Sequence, residues 1–324
     1  MPNGRNIIVR LGTGRFGGPY DRPRLRRQWP VAIAVNRPET VRGLIRVLIH
    51  RLEAVRDQAS LAAGNPSADT IHDARVASRR AAAVLGILEI GGILRHSDTH
   101  GIKKRLRKMR RRGGVVRDLD VFLQGLSTAM RPEEKRQLER WQLHITQRRA
   151  IAVRLFIKSA LAVSADARLD QYSTQLSRMD AVVLGDALYA GIHGILRAAS
   201  KKAKTHLKRA MRERSIPTAH RARIAVKRLR YLYELCDEAK IIAVRTLLAR
   251  LRNFQSIAGD LNDCASAVRR LGELHTPATP GKPSDYAAVA RLVKVRQSRI
   301  RRLTGRMLTA ARFLLEGSRP KSRS

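Results

Sequence analysis

The sequence of 324 residues contains few acidic residues, few aromatic residues and almost no cysteine. Asp and Glu number 26 against 66 Lys and Arg, so the formal net charge is +40 at pH 7. A charge of this size repels itself and destabilises the compact state unless an anion neutralises it. Codon usage in a GC-rich genome explains a bias of Arg over Lys, but it does not explain the shortage of acids. The composition therefore favours a polyanionic partner.

Two further shortages exclude classes of protein. Cys236 and Cys264 do not have C-x-x-C spacing, which argues against a zinc knuckle or a redox pair and favours buried thiols in a reducing cytosol. The sequence has no apolar run of the roughly 18 residues that a membrane span needs, and no signal-peptide pattern at the N-terminus. We therefore expect a cytoplasmic protein without a membrane partner, a metal or another cofactor.

The spacing of apolar residues predicts an all-α chain from Pro38 onward, because no segment of useful length alternates with the period of a strand. Asp69 is the predicted N-cap of a helix that carries His72, and Gly113-Gly114 is a predicted helix end. Asp118 and Asp263 are then expected to begin helices and to cap them or pair with Arg. The predicted helices are 38–63, 69–90, 99–112, one from 118, 132–160, 180–213, one around 220, 240–257, 260–274 and 284–316.

An internal repeat organises these helices. A histidine followed by cations at the third, seventh and eighth positions occurs twice, as His72, Arg75, Arg79 and Arg80 and as His220, Arg223, Lys227 and Arg228. A second motif also recurs, as Gly114-Val-Val-Arg117-Asp118 and Gly259-Asp-Leu-Asn262-Asp263. Two motifs that recur with similar separation indicate a duplicated helical unit. The predicted boundaries are 37–160 and 161–316, flanked by a basic arm rich in Gly, Pro and Arg (1–36) and a basic tail (317–324).

Each histidine helix has an apolar seam beside a line of basic residues. At about 100° per residue, His72, Arg75 and Arg79 fall within roughly 60° of one another on the helix surface. A solvated face normally intersperses acids with bases for i,i+4 pairing, and this line of residues contains no acid. A basic face that simply contacts solvent is the alternative interpretation.

The line of arginines has a chemistry that suits phosphate. Guanidinium groups bind phosphate oxygens through two parallel hydrogen bonds, and a rigid helix fixes their spacing. A histidine beside several arginines should have a lowered pKa and be mostly neutral at neutral pH. The alternative is a structural histidine that bonds to a neighbouring helix.

These motifs resemble the CHAD domain family, the conserved-histidine α-helical domain, over roughly residues 38–316. The residues that carry the resemblance are His72-x-x-Arg75-x-x-x-Arg79-Arg80, Gly114 to Val121, His220 to Tyr231, and Gln255-x-x-x-Gly259-x-x-Asn262-Asp263. The resemblance implies two antiparallel four-helix bundles with pseudo-twofold symmetry around a basic central channel. It also implies binding of inorganic polyphosphate without catalysis, and an association with polyphosphate granules. The ligand-facing residues are then His72, Arg75, Arg79, Arg80, His220, Arg223, Lys227, Arg228 and Arg230, with Arg107 and Arg252 on the neighbouring helices.

Two other functions compete with polyphosphate binding. A metal phosphohydrolase with a His-Asp pair is disfavoured because His72-Asp73 is matched by His220-Arg221, and His96 with His100 is a weak metal motif. Nonspecific DNA or RNA binding is the serious alternative, because any polyanion binds a basic surface through counterion release. Few aromatics are present for base stacking, and the basic lines lack the Asn and Gln that read base edges.

Overall fold

The structure is a computed structural model that describes residues 38–274 and 283–316. The prediction of an all-α chain is confirmed, since the described ranges contain helices and no strand. The predicted arm (1–36) and tail (317–324) lie outside the described residues. The helices are α1 (Pro38–Gly64), α2 (Ala68–Ile90), α3 (His96–Ala129), α4 (Pro132–Ser164), α5 (Arg168–Arg178), α6 (Ala181–Glu213), α7 (Ile216–Glu238), α8 (Arg245–Leu274) and α9 (Pro283–Glu316).

The helix contacts fall into two groups of four. Helix α1 contacts α2 and α4, and α3 contacts α2 and α4, so these four helices form a closed ring. Helices α6, α7, α8 and α9 form a second ring in the same order. The two rings contact each other through α2 with α7, α3 with α8 and α4 with α9, among other pairs. The pseudo-twofold axis, the central channel and the boundary at residues 160 and 161 stay predictions.

Both histidine helices begin at a serine. The Ser67 hydroxyl accepts a hydrogen bond from the backbone N–H of Thr70 at 3.1 Å, and the Thr70 hydroxyl accepts one from the Ser67 N–H at 2.9 Å. Ser215 caps α7 in the same way, accepting from the N–H of Thr218 at 3.4 Å. The prediction that Asp69 is the N-cap of α2 is wrong, because Asp69 lies in the first turn, where its charge favours the helix dipole.

Helices α3 and α8 are continuous where the sequence predicted breaks. Helix α3 passes unbroken through Gly113-Gly114, and α8 passes through Gly259. Asp118 and Asp263 therefore lie inside helices, and the prediction that they begin and cap helices is wrong. Helix α5, which the sequence did not predict, packs against α1 and buries Leu169, Tyr172, Ser173 and Leu176.

The core consists mainly of Leu, Ile, Val and Ala, and it spans both rings of helices. The apolar seams are buried as predicted, and no seam residue is more than 7% exposed: Ala74, Ala77, Ala81, Val84, Leu85 and Leu88 on α2, and Ala222, Ala225, Leu229, Leu232 and Cys236 on α7. Cys236 and Cys264 are both buried, as expected. Burial raises the pKa of the Cys236 thiol to about 12.

Glycines form the contact between the end of α2 and the N-terminal half of α6. A methyl group on Gly91 would overlap the carbonyl oxygen of Ala187, and one on Gly191 would overlap the carbonyl oxygen of Ile87. The two backbones therefore touch directly, which only glycine permits. This crossing fixes the end of α2 against the second ring of helices.

Helix α6 also has the length and apolar composition of a membrane-spanning helix, and it is the one such helix in the described ranges. Length and composition are a weak indication, because buried core helices of soluble proteins pass the same test. Helix α6 packs against α1, α2, α7 and α9. The absence of a membrane partner stays a prediction.

Candidate anion-binding site

The basic residues of α2 and α7 lie close to one another, since the two helices are in contact. Arg75 and Arg79 of α2 interact electrostatically with Arg223 of α7, and Arg79 also interacts with Arg230. Helix α3 adds two further arginines to the group. We call these residues the basic cluster: Arg75, Arg79, Arg110, Arg117, Arg223, Lys227 and Arg230.

Lys227 lies among the arginines of the basic cluster. Its pKa is lowered to about 7, first by burial and then by the positive charges of Arg79, Arg223, Arg75 and Arg230. An isolated lysine has a pKa near 10.4. In this site Lys227 gains or loses its proton close to neutral pH. Burial and the neighbouring charges together disfavour a further positive charge in the ligand-free cluster.

Arg75 and Arg110 show the same effect to a smaller degree. Burial, with Arg79 as the next cause, lowers the pKa of each guanidinium to about 10. Both therefore stay charged at neutral pH. Arg110 also donates a hydrogen bond to the Ser78 carbonyl at 3.0 Å, which directs its side chain toward α2. Tyr231 lies beside Arg79 and partly offsets the lowering of the Arg79 pKa by burial.

Glycines on α3 and α8 lie beside the first arginine of each histidine helix. A Cβ on Gly113 would be 2.9 Å from the Arg75 Cδ and 3.0 Å from the Phe156 Cε2. A Cβ on Gly114 would be 3.7 Å from an Arg75 nitrogen, and one on Gly259 would be 3.8 Å from the Arg223 Nε, both ordinary contact distances. Gly113 therefore leaves space for Arg75, and the repeated glycines Gly114 and Gly259 lie next to the first arginine of each motif.

The two motif histidines have different environments. The Nδ1 of His220 is 2.6 Å from the Oδ1 of Asn262 on α8, so the ring N–H donates to the amide oxygen. His72 instead lies near the positive charges of Lys227 and Arg117. Burial first, and then these charges with Arg75, lower the pKa of His72. The predicted lowering is thus confirmed for His72.

Arg80, Arg230 and Arg252 are drawn together by one carboxylate. Glu234 of α7, with a side chain 13% exposed, has its oxygens 4.0 Å from Arg80, 3.6 Å from Arg230 and 3.6 Å from Arg252. These predicted ligand residues therefore share a counter-charge that the sequence prediction did not include. Asp118 also acts on the cluster through Arg75. Burial raises the pKa of Asp118, and Arg75 and Arg270 oppose the rise.

The remaining predicted residues lie at the margin. Arg107 acts electrostatically on Arg110 and has an exposed side chain. Arg228 is also exposed, and the described interactions of the basic cluster do not include it. Sequence reasoning missed Arg110 as a site residue, although it lies one helical turn from Arg107. It also missed Arg117, which stands inside a motif that was recognised.

Two cavities are lined by residues outside the basic cluster. One of about 300 Å³ is lined by His50, Arg51, Asp73, Arg80 and Glu238, among others. The other, of about 350 Å³, lies between α3, α8 and α9 and is lined by Asp260, Asp263, Arg296 and Arg299, among others.

The histidine pair His96 and His100 lies away from the basic cluster. The two ring centroids are 5.4 Å apart, and the Nδ1 of His96 is 3.4 Å from Glu89. Across the described residues, no group of three or more His, Cys, Asp or Glu side chains is arranged to hold a metal ion.

Comparison with known proteins identifies the family. The crystal structure of the CHAD domain from the plant Ricinus communis superimposes with a TM-score of 0.64 and 20% sequence identity, covering 86% of this chain and 92% of that chain. Curated proteins give no match. The family model described as CHAD domain matches residues 46–272, including both histidine helices. Because that match spans well over half of the sequence, the chain belongs to the CHAD domain family.

Proposed function

We propose that this protein binds inorganic polyphosphate, without transforming it, through the basic cluster together with His72 and His220. The observation that carries the proposal is the position of Lys227 among four arginines from two helices. Bringing like charges together in a partly buried site costs free energy, because water no longer screens them fully. A polyanion in the site would replace this repulsion with attraction.

The arrangement of the cations supports a long anion over a single phosphate. Arg79 lies seven positions after His72, which corresponds to roughly 10 Å along a helix at 1.5 Å per residue. Guanidinium forks at successive turns can each hold phosphate oxygens with two hydrogen bonds. A chain of phosphates presents its charges in a line, as these helices present theirs. The proposal implies that the protein is cytoplasmic and associates with polyphosphate granules.

Nonspecific nucleic-acid binding is a second candidate, supported by basic residues outside the cluster. Helix α6 exposes Lys201, Lys202, Lys208 and Arg212, which lie on its C-terminal half. Exposed cations of this kind attract any polyanion through counterion release, without selectivity. Polyphosphate binding would therefore use the basic cluster, whereas nonspecific nucleic-acid binding would use the exposed cations of α6.

Competition between ligands and variants separates the two functions. Affinities for long-chain polyphosphate and for length-matched single-stranded and duplex DNA would be measured at about 150 mM salt, because binding to exposed charges weakens steeply with salt. The cluster variant carries Ala at Arg75, Arg79, Arg223 and Lys227. A matched control removes the same number of charges from α6, with Ala at Lys201, Lys202, Lys208 and Arg212.

We expect polyphosphate to bind more than about tenfold tighter than either DNA, and only the cluster variant to lose it. Melting temperatures would show that both variants are folded, and polyphosphate should raise that of the wild type by mass action. If DNA binds equally well and the α6 variant loses both ligands, the protein is a general polyanion binder and the polyphosphate proposal is wrong.

A further inference from the structure

Glu234 is a partly buried carboxylate that has arginines around it but no hydrogen bond to any of them. Its three arginine partners approach no closer than 3.6 Å, beyond hydrogen-bonding distance. The Glu234 Oε2 is buried and has no hydrogen-bond partner among the described residues. By contrast, Glu238 receives a hydrogen bond from Arg51 at 2.7 Å, one turn further along the same helix. Glu234 is thus attracted by several charges but bonded to none of them.

The cations around Glu234 come from three separate helices. Arg80 extends from α2, Arg230 from α7 and Arg252 from α8. Each of these guanidinium groups keeps donors that Glu234 does not use, since none of the three contacts is a hydrogen bond. A phosphate group in this position could accept hydrogen bonds from several of them at once. The site therefore has the features of an anion position that a weakly bound carboxylate occupies.

Only the second half of the chain contains this acid. In the repeat, the position that matches Glu234 in α7 is Gly86 in α2, which has no side chain to reach a cation. Glu234 lies 14 residues after His220, or roughly 21 Å along the helix axis. It therefore marks the far end of α7 from its histidine.

We infer that Glu234 is an internal anion that holds Arg80, Arg230 and Arg252 in the ligand-free protein and is displaced from them by a phosphate group of the bound chain. The inference rests on the proposed polyphosphate function and adds a competing group to that same site. Glu234 thereby lowers affinity at this end of the site, so that a ligand must supply enough phosphates to reach and replace it.

The test compares two isosteric substitutions on the same helix. Glu234→Gln removes the internal anion and keeps the side-chain shape, and Glu238→Gln removes an equal charge one turn away, where the partner is Arg51. We expect Glu234→Gln to tighten long-chain polyphosphate binding by about three- to tenfold. We expect Glu238→Gln to change it by less than about twofold. Melting temperatures of both variants would be measured alongside.

A double-mutant cycle separates displacement from a general charge effect. The substitution Glu234→Gln would be repeated in a background in which Arg80, Arg230 and Arg252 are Ala. Displacement requires the gain to vanish there, because no guanidinium remains to be released. An equal gain in both backgrounds, or an equal gain from Glu238→Gln, would overturn the inference.

The wild-type titration in the same experiment distinguishes this inference from the function on which it rests. If the wild type does not bind polyphosphate in preference to DNA, the proposed function is wrong. If the wild type binds it selectively and Glu234→Gln binds no tighter, the function stands and the role of Glu234 is wrong.

Discussion

His72 on α2 and His220 on α7 occupy matching positions in the two halves of the chain but have different neighbours. His72 lies near Lys227 and Arg117, two positive charges. His220 bonds to Asn262, which is the residue that matches Arg117 in the repeated motif. A neutral amide thus stands in one half where a cation stands in the other.

The same contrast continues along the histidine helices. Where α2 has Ala82 and Gly86, α7 has Arg230 and Glu234. The second half therefore adds both a cation and an acid at positions where the first half has uncharged residues. A duplicated framework can keep its helices while the charge of each half changes. Substitutions confined to one half therefore test whether the two halves contribute differently.

The largest expected effect comes from removing two cations from one helix. We expect Arg75→Ala with Arg79→Ala to weaken polyphosphate binding by about 100-fold or more, since each charged hydrogen bond contributes about 1.5–3 kcal/mol. The matching pair Arg223→Ala with Lys227→Ala should cost about tenfold less, because Lys227 is only partly protonated at neutral pH. Isothermal titration of both double variants measures the difference. Equal losses would show that the halves contribute alike.

Gly113 and its counterpart Ala258 give a comparison in stability. The α8 position is already alanine and is 3% exposed, whereas a Cβ on Gly113 would be 3.0 Å from the buried ring of Phe156. We expect Gly113→Ala to reduce the free energy of unfolding by about 1–2 kcal/mol through overpacking, despite a better helix propensity. Urea denaturation checks this value. A stabilised Gly113→Ala variant would mean that Arg75 and Phe156 can move aside.

Lys227 occupies the position of Arg79 in the repeat and should make binding depend on pH. Polyphosphate would favour the charged lysine, so binding takes up a proton wherever free Lys227 is neutral, above about pH 7. We expect affinity to fall by up to about tenfold per pH unit between about pH 7 and pH 9. Lys227→Arg should remove this slope and make the two helices alike. Titrations at several pH values test both proteins, and a slope that persists in Lys227→Arg would contradict the assignment.

The same lysine affects the pH dependence of stability. Its folded pKa of about 7 lies below the ordinary value, so the unfolded chain binds the proton more readily. The stability contribution of this group therefore rises with pH from about 7 to about 10.4 in the ligand-free protein. The melting temperature of the wild type should therefore rise relative to that of Lys227→Arg as the pH increases over this range.

The smallest expected effect comes from giving the second half the cation of the first. Asn262→Arg should tighten polyphosphate binding by about threefold and steepen its dependence on salt by about one counterion. The converse change, Arg117→Asn, should weaken binding by a similar factor. Affinity measured across a salt series tests both variants. An unchanged salt dependence would place position 262 outside the ligand path.

Local patterns in the sequence were sufficient to predict the all-α chain and the buried seams. The period of Ala74, Ala77 and Ala81 is enough to indicate which face of α2 is buried. Leu169, Tyr172 and Leu176 of α5 follow the same helical spacing, but that helix has only 11 residues. So short a segment gives the period too few repeats to distinguish a helix from a loop.

The errors arose where packing between helices overrides local preference. Gly113-Gly114 has the composition of a helix end, yet α3 continues through it, and Arg75 and Phe156 fill the space above Gly113. No local pattern reveals that space. Glu234 was missed for a related reason: an acid three residues beyond a tyrosine is an ordinary helical residue, and its partners on α2 and α8 are distant in sequence.

The glycine contact between α2 and α6 has a consequence for the thermodynamics of binding. Gly91 and Gly191 bring two backbones into contact, so the first ring of helices cannot shift against the second without opening a tightly packed crossing. The spacing between α2 and α7 is therefore set before any ligand arrives. A flexible polyphosphate chain gives up its own conformational freedom when it binds, whereas the protein has little to give up. On this basis the association entropy should reflect the stiffness and counterions of the ligand, with only a small contribution from ordering of the helices.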